Sequence, residues 1–173
     1  MDAFECVATK LDVREFDKKS VPTDVKLRIL DAARMAGTGM NTQHWRFILV
    51  QERDSLNRLA ADSTSGTWVG NADFAVIVLT NPKYGFHLID AGRAVQNMEI
   101  AAWNYDVVSC IYTGVKENSL RKDFGIPNEL HPSVVVGFGY PRRKLTGRKK
   151  NRKPLEEVAF LERYGNRLVA GSL

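Results

Sequence analysis

Apolar side chains recur along the chain with two periodicities, one typical of helices and one typical of buried strands. In "DVKLRILDAARMA" they fall at helical spacing, which predicts a helix over 24–36 that is capped by Thr23 and ended by Gly37. The same spacing predicts a core helix over 90–105. Further helices are predicted over 2–8, 54–61 and 154–165.

Runs of β-branched and aromatic residues predict the strands. "FAVIVLT", residues 74–80, is an almost continuous apolar run, which indicates a strand buried on both faces. Further strands are predicted over 46–51, 107–113 and 132–140. Helices and strands alternate, which predicts three-layer α/β packing, and the length suits one domain over 1–173. The order of the strands does not follow from this pattern.

The loop "GTGMNTQHWRF", residues 37–47, interrupts this alternation with glycines and amides. Asn41 and Gln43 both donate and accept hydrogen bonds, which suits the mixed edge of a planar heterocycle. An ordinary turn with Asx capping is the alternative. The loop follows a helix and precedes a strand, whereas a Rossmann phosphate loop needs the reverse order.

Charge is distributed unevenly along the chain. Residues 142–153 hold 8 of the 25 Lys and Arg and no acid, which leaves 17 basic against 20 acidic residues elsewhere. The segment indicates an anionic partner. Nucleic acid is the less favoured partner because the only aromatic near the segment is Tyr140 at its border, and stacking needs interleaved aromatics.

The composition is that of a soluble globular protein, with 44% hydrophobic and 26% charged residues. No apolar run has the length of a membrane span, and the first residues lack the pattern of a signal peptide. Cys6 and Cys110 are expected to be reduced thiols in the cytoplasm. The three histidines, at 44, 87 and 131, lack metal-ligand spacing and are expected to be structural or surface residues rather than metal ligands.

Two further stretches are candidates for ligand contact. In "KLDVREF", Lys10 and Arg14 stand at alternate positions around Asp12, so an extended segment points both cations to one side. Solvated surface charges are the alternative. "SCIYTGV" ends a predicted strand at Thr113 and Gly114, where backbone can approach a flat ligand closely, and an ordinary strand end is the alternative.

These stretches together resemble the nitroreductase family of flavoproteins over nearly the whole chain. The loop with Asn41, Gln43 and Trp45 is similar to the family's N-x-Q-P-W, and "KLDVREF" to its Arg-x-Ser-x-Arg segment. "KKNRKPLEE" is similar to its basic C-terminal end. The resemblance implies an α+β fold with a mixed β-sheet flanked by helices. It also implies FMN at a homodimer interface, with NADH or NADPH as electron donor.

The same resemblance assigns roles to residues. Lys10 and Arg152 are expected at the FMN phosphate, with Lys150 near it. Arg14, Asn41 and Gln43 are expected at the pyrimidine edge of the flavin, and the backbone N–H of Thr113 or Gly114 at flavin N5.

Three positions depart from the family pattern. His44 stands where the family has Pro, and Lys10 stands where it has Arg, which removes bidentate geometry. Asp12 takes the place of a Ser that helps to hold the phosphate, and a carboxylate there repels it. The connection between the strand over 74–80 and the next helix also lacks the long insertion that helps to cover the flavin in the family, so the resemblance implies a more open pocket.

The sequence therefore predicts an FMN-dependent oxidoreductase that passes electrons from NAD(P)H to a small acceptor, such as a nitroaromatic or a quinone, by a ping-pong mechanism. No catalytic side chain beyond the flavin is predicted. The alternatives are a basic nucleic-acid-binding protein and a family member that binds flavin without acting as a reductase.

Overall fold

The computed structural model describes residues 2–145, 150–168 and 171. Residues 146–149 of the basic segment lie outside the described residues. The described helices are α1 (Ala3–Thr9), α2 (Thr23–Arg34), α3 (Arg53–Ala61), α4 (His87–Trp103), α5 (Glu117–Phe124) and α6 (Leu155–Val158). The strands are β1 (Arg46–Val50), β2 (Phe74–Thr80), β3 (Val108–Tyr112) and β4 (His131–Gly139).

The four strands form one sheet in the order β1-β2-β4-β3, and every neighbouring pair is antiparallel. The predicted mixed sheet was therefore wrong for the described strands, where parallel pairing is limited to an isolated bridge between Asp12 and Ser109. The reason is the position of β4. Strands β2 and β3 run in the same direction, joined by α4, but β4 returns after α5 and inserts between them.

Helices cover both faces of the sheet, as predicted. Helices α2 and α4 pack over one face, where Phe74 stacks on Phe138 at the centre of the core. Helices α3 and α5 contribute Leu56, Leu59 and Leu120 to the core on the other face. All seven residues of β2 are buried, which confirms that its continuous apolar run lies between two layers. The α+β fold class is confirmed.

The structure differs from the sequence-based prediction at two helices. Helix α5 was not predicted, because only Leu120 of its side chains is fully buried and Phe124 is its only other apolar residue. The helix predicted over 154–165 is limited to the four residues of α6, which has no buried side chain. A short helix needs tertiary packing to persist, and α6 has none. Within the described residues, no helix is both long and apolar enough to cross a membrane.

Candidate functional site

Helix α4 carries two acidic residues on its buried face. Each of them holds one of two polar segments, the loop over 37–47 or "KLDVREF". Asp90 lies near the start of the helix and Glu99 near its end, and both are buried. Nine residues of α-helix separate them by about 13 Å along the axis. The loop over 37–47 is held at the Asp90 end and "KLDVREF" at the Glu99 end.

At the Glu99 end, Lys10 forms a two-carboxylate ion pair. Its ammonium lies 2.7 Å from Glu99 Oε1 and 2.6 Å from Asp12 Oδ1. Ser109 Oγ donates to the same Glu99 oxygen at 2.9 Å. The chain reaches this position because Lys10 directly follows α1 and the Val13 N–H donates to the Ser109 carbonyl at the edge of β3. Lys10 and Glu99 are buried, whereas the Asp12 side chain is 65% exposed.

Lys150 and Arg152 lie beside this group. Lys150 Nζ donates to the Val7 carbonyl at 2.6 Å, which ties the basic segment to α1. Burial lowers the pKa of the Lys150 ammonium, as do the charges of Arg152 and Lys10, while Asp12 and Glu99 act in the opposite direction. Arg152 is exposed, and its Nη1 donates to the carbonyl of Asn151. Lys10, Lys150 and Arg152, named here the basic cluster, therefore lie around the carboxylates of Asp12 and Glu99. The Arg152 guanidinium is on the solvent side of the cluster.

Arg14 points to a different neighbour from Lys10. Its Nε donates to Cys110 Sγ at 3.4 Å, and its guanidinium carbon lies 5.9 Å from the centre of the Trp68 ring. The contact with Cys110 raises the pKa of the Arg14 guanidinium, with a smaller contribution from Asp12. Arg14 also lines a polar cavity of about 740 Å³, together with Phe16 and Arg142.

At the Asp90 end, the loop adopts an unusual backbone. Met40, Asn41 and Gln43 all have positive φ, at 50°, 52° and 47°. This left-handed region is uncommon for residues other than glycine. The side chains of Asn41 and Gln43 are exposed, and neither amide bonds to another described residue. The loop thus presents two unengaged amides to solvent.

His44 holds this loop in place. Its Nε2 donates to Asp90 Oδ2 at 3.1 Å, and its Nδ1 accepts the Asn81 N–H at 3.3 Å. Because Nδ1 accepts, the imidazole proton lies on Nε2. The Gly39 N–H donates to the same Asp90 oxygen at 3.1 Å. His44 is therefore a structural histidine, as predicted, in the position where proline was expected from the resemblance.

Trp45 and the glycines of the loop serve packing. Trp45 is buried and stacks on Phe47, with ring centres 5.6 Å apart, so it lies in the core below the loop. A side chain on Gly39 would meet the Phe86 ring at 2.6 Å. The glycine therefore allows close approach of the loop to an aromatic ring of the protein itself.

Thr113 and Gly114 follow the end of β3, four and five residues after Ser109. At the rise of a strand, Thr113 lies about 13 Å from Ser109. The Gly114 carbonyl accepts the Thr64 N–H at 2.8 Å, and a Cβ at this position would lie 2.6 Å from Ser65 Oγ. Packing of the Thr64–Ser65 turn is thus sufficient reason for a glycine here, apart from any ligand.

The structure brings together only part of the predicted constellation. Lys10, Asp12, Lys150 and Arg152 form one group. Arg14 bonds to Cys110 instead and is related to the group through the charge of Asp12. Asn41 and Gln43 are fixed at the opposite end of α4. The loop over 37–47, which carries these two amides and is named here the amide loop, is not placed beside the cations by the contacts within one chain.

Glu99 and Ser109 were missed from the sequence. A signal was present, because Glu99 follows Val95 by four residues and precedes Ala102 by three, so it falls on the apolar face of α4. A charge in that position predicts a buried partner. Ser109 carried no comparable signal, because a polar residue in a strand is ordinary.

The site therefore belongs to an α+β protein with a basic cluster at one end and an exposed amide loop at the other. The sequence matches the model of the nitroreductase family over residues 7–84 and 66–140. It is 29% identical over 150 residues to a Methanothermobacter thermautotrophicus protein with the provisional name NADH dehydrogenase/NAD(P)H nitroreductase. That alignment covers 82% of this chain and 78% of the relative.

Solved structures show the same fold. A Bacteroides thetaiotaomicron protein with the same provisional name superposes with a TM-score of 0.85 at 23% identity, covering 94% of this chain and 98% of that one. An FMN-dependent nitroreductase of Clostridium difficile superposes with a TM-score of 0.84 at 17% identity, covering 93% and 99%. The chain belongs to the nitroreductase family, which places it among the oxidoreductases.

Proposed function

We propose that the chain is an FMN-dependent oxidoreductase that takes electrons from NADH or NADPH and passes them to a small acceptor such as a nitroaromatic or a quinone. The observation that carries the proposal is the convergence of Lys10, Lys150 and Arg152 in a member of this family. The FMN-dependent nitroreductase among the structural neighbours supports the choice of flavin.

The basic cluster supplies suitable donors for the phosphate of FMN. Charged N–H groups form the strongest hydrogen bonds to phosphate oxygens. Arg152 is the best placed because it is exposed and no carboxylate among the described residues pairs with it. Lys150 is half-buried and already engaged with the Val7 carbonyl, so it orients the segment as well as adding charge.

The amide loop suits the ring end of the cofactor. Asn41 and Gln43 offer both donors and acceptors to the pyrimidine edge, and Arg14 adds a positive charge beside it. The N–H of Thr113 or Gly114 is assigned to flavin N5. A bound FMN supplies the hydride and electron chemistry, and these residues supply its orientation and its electrostatic environment.

A homodimer reconciles the two ends of the site. The amide loop and the basic cluster lie at opposite ends of α4, so a second copy of the chain is proposed to bring its loop to the cations of the first. Apolar side chains on the outer faces of α1 and α4 are available for such an interface, including Phe4, Val7, Leu88 and Ile89. Ile89 is 67% exposed and Phe4 is 80% exposed, so burial in an interface between two copies would remove a sizeable apolar area from water.

The test begins with purified protein. We expect it to be yellow, to release FMN on denaturation, and to have the mass of a dimer by light scattering. Anaerobic addition of NADH or NADPH should bleach the flavin absorbance. Protein that is colourless and leaves the fluorescence of added FMN unquenched would contradict the proposal. Bound flavin that neither nicotinamide reduces would support the non-reductase alternative.

A further inference from the structure

The ammonium of Lys10, the first residue assigned to the phosphate, is already engaged by two carboxylates. We infer that Glu99 is a specificity-determining residue that holds Lys10 away from the phosphate, so that the chain distinguishes FMN poorly from riboflavin. The inference rests on the proposed function and concerns the phosphate end of the same site.

The geometry gives Glu99 the stronger hold on Lys10. Both side chains are buried, and their charged atoms are 2.7 Å apart. Ser109 donates to the same carboxylate oxygen and fixes its direction. An ammonium has three N–H donors, and Glu99 and Asp12 take two of them. One donor of Lys10 is left for any other anion.

The balance of charge leads to the same conclusion. Lys10 with Asp12 and Glu99 carries a net charge of −1, and Lys150 with Arg152 brings the group only to +1. A phosphate that approaches Lys10 also approaches two carboxylates, which repel it. Riboflavin lacks the phosphate, so it gains nothing from Arg152 and meets no such repulsion. For FMN the repulsion offsets most of the affinity that Arg152 supplies, so the two flavins should bind with similar affinity.

The affinity ratio of the two flavins isolates the phosphate end. Apoprotein is titrated with FMN and with riboflavin, and quenching of flavin fluorescence gives each Kd. For the natural chain we expect the two Kd values to agree within about tenfold, since one charge-assisted hydrogen bond corresponds to about ten- to a hundredfold. Glu99→Gln should tighten FMN about tenfold or more and leave riboflavin within about twofold.

Two control variants separate charge from structure. Ser109→Ala removes a hydrogen bond from the same Glu99 oxygen without changing the charge, and it should leave the ratio unchanged. Asp12→Asn removes the exposed competitor for Lys10 and should shift the ratio in the same direction as Glu99→Gln. Because Asp12 is at the surface, this variant decides the question if Glu99→Gln fails to fold.

An unchanged or reduced preference for FMN in Glu99→Gln, or in Asp12→Asn where only that variant folds, would overturn the inference. So would a natural chain that binds FMN a hundredfold or more tighter than riboflavin. Either result leaves the proposed function standing, because the chain still binds flavin. A natural chain that binds neither flavin contradicts the proposed function and the inference together.

Discussion

Asp90 and Glu99 lie on the apolar face of α4, and each accepts hydrogen bonds that hold a polar segment of the site in place. A buried carboxylate needs donors, because burial without them costs several kcal/mol. Asp90 receives donors from His44 and Gly39, and Glu99 receives them from Lys10 and Ser109. The polar stretches of the site are therefore held by charges that face the interior.

Arg152 and Lys144 are matched cations for testing the phosphate end. Arg152→Ala should weaken FMN binding about ten- to a hundredfold, because it removes a charge-assisted hydrogen bond to phosphate. Lys144 is exposed, and Lys144→Ala should change the affinity less than about twofold. Flavin titrations of both variants at one salt concentration provide the measurement. Equal effects would mean that the basic segment acts diffusely, as a nucleic-acid-binding segment does.

At the residue scale, the sequence located the groups but not their partners. The cations of "KLDVREF" could be identified from their alternate spacing. That Lys10 is buried against Glu99 could not, because the two residues are 89 positions apart in the chain. The pairing depends on how α1, α4 and β3 meet, and no local pattern encodes that meeting.

At the scale of elements, the amide loop is fastened to α4 and to the end of β2 by one side chain. His44 is buried and bonds to Asp90 on α4 and to the backbone of Asn81 after β2. Its ring also packs on Tyr84, with ring centres 5.0 Å apart. A proline in this position would have neither hydrogen bond. Compared with the Pro that the resemblance places here, His44 thus exchanges a stiff backbone for a side chain that clamps two elements together.

His44→Ala should lower the free energy of unfolding by about 2 to 3 kcal/mol, because it removes a hydrogen bond to a buried carboxylate and leaves that group under-satisfied. Gln43→Ala is the matched control, with an exposed side chain in the same left-handed loop, and it should cost less than about 0.5 kcal/mol. Denaturant unfolding of the flavin-free protein measures both. Similar losses in the two variants would show that the clamp contributes little.

The helices and strands that the sequence predicted well are those with strong periodicity. Strand β2 and helices α2 and α4 appear close to their predicted positions because their apolar pattern matches their burial. Helix α5 ends at Gly125 with φ of 62°, a left-handed cap that a sequence reading can use. Helix α5 was nevertheless not predicted, because most of its residues are polar and give no apolar periodicity. The opposite error occurred after Pro154, where helix-forming residues meet no packing surface.

At the scale of the whole molecule, the alternation of helices and strands identified the layers but not the strand directions. Insertion of β4 between β2 and β3 makes every neighbouring pair antiparallel, and the apolar pattern of a strand buried on both faces is the same in either direction. The position of the amide loop relative to the cations could not be predicted from the sequence either. It depends on the length of α4 and on the proposed second chain.

Turnover is expected to be ping-pong, with the nicotinamide leaving before the acceptor binds. The sequence has no glycine-rich dinucleotide loop for a separate NAD(P)H site, so both substrates are expected to use one flavin face in turn. Only Asn81–Phe86 connect β2 to α4, and the rings of Tyr84 and Phe86 pack against His44 rather than extending as a lid. A face left open in this way favours a broad acceptor range and weak nicotinamide affinity.

Initial rates at varied donor and acceptor concentrations distinguish this scheme from its alternative. Parallel double-reciprocal lines are expected, because the two substrates never occupy the site together. A non-reducible nicotinamide analogue should compete with the acceptor, since both need the same face. Intersecting lines, together with a complex that holds the analogue and the acceptor at once, would mean that the pocket has room for both. In that case the short connection before α4 would leave space for the nicotinamide and the acceptor together, and would do more than expose the flavin face.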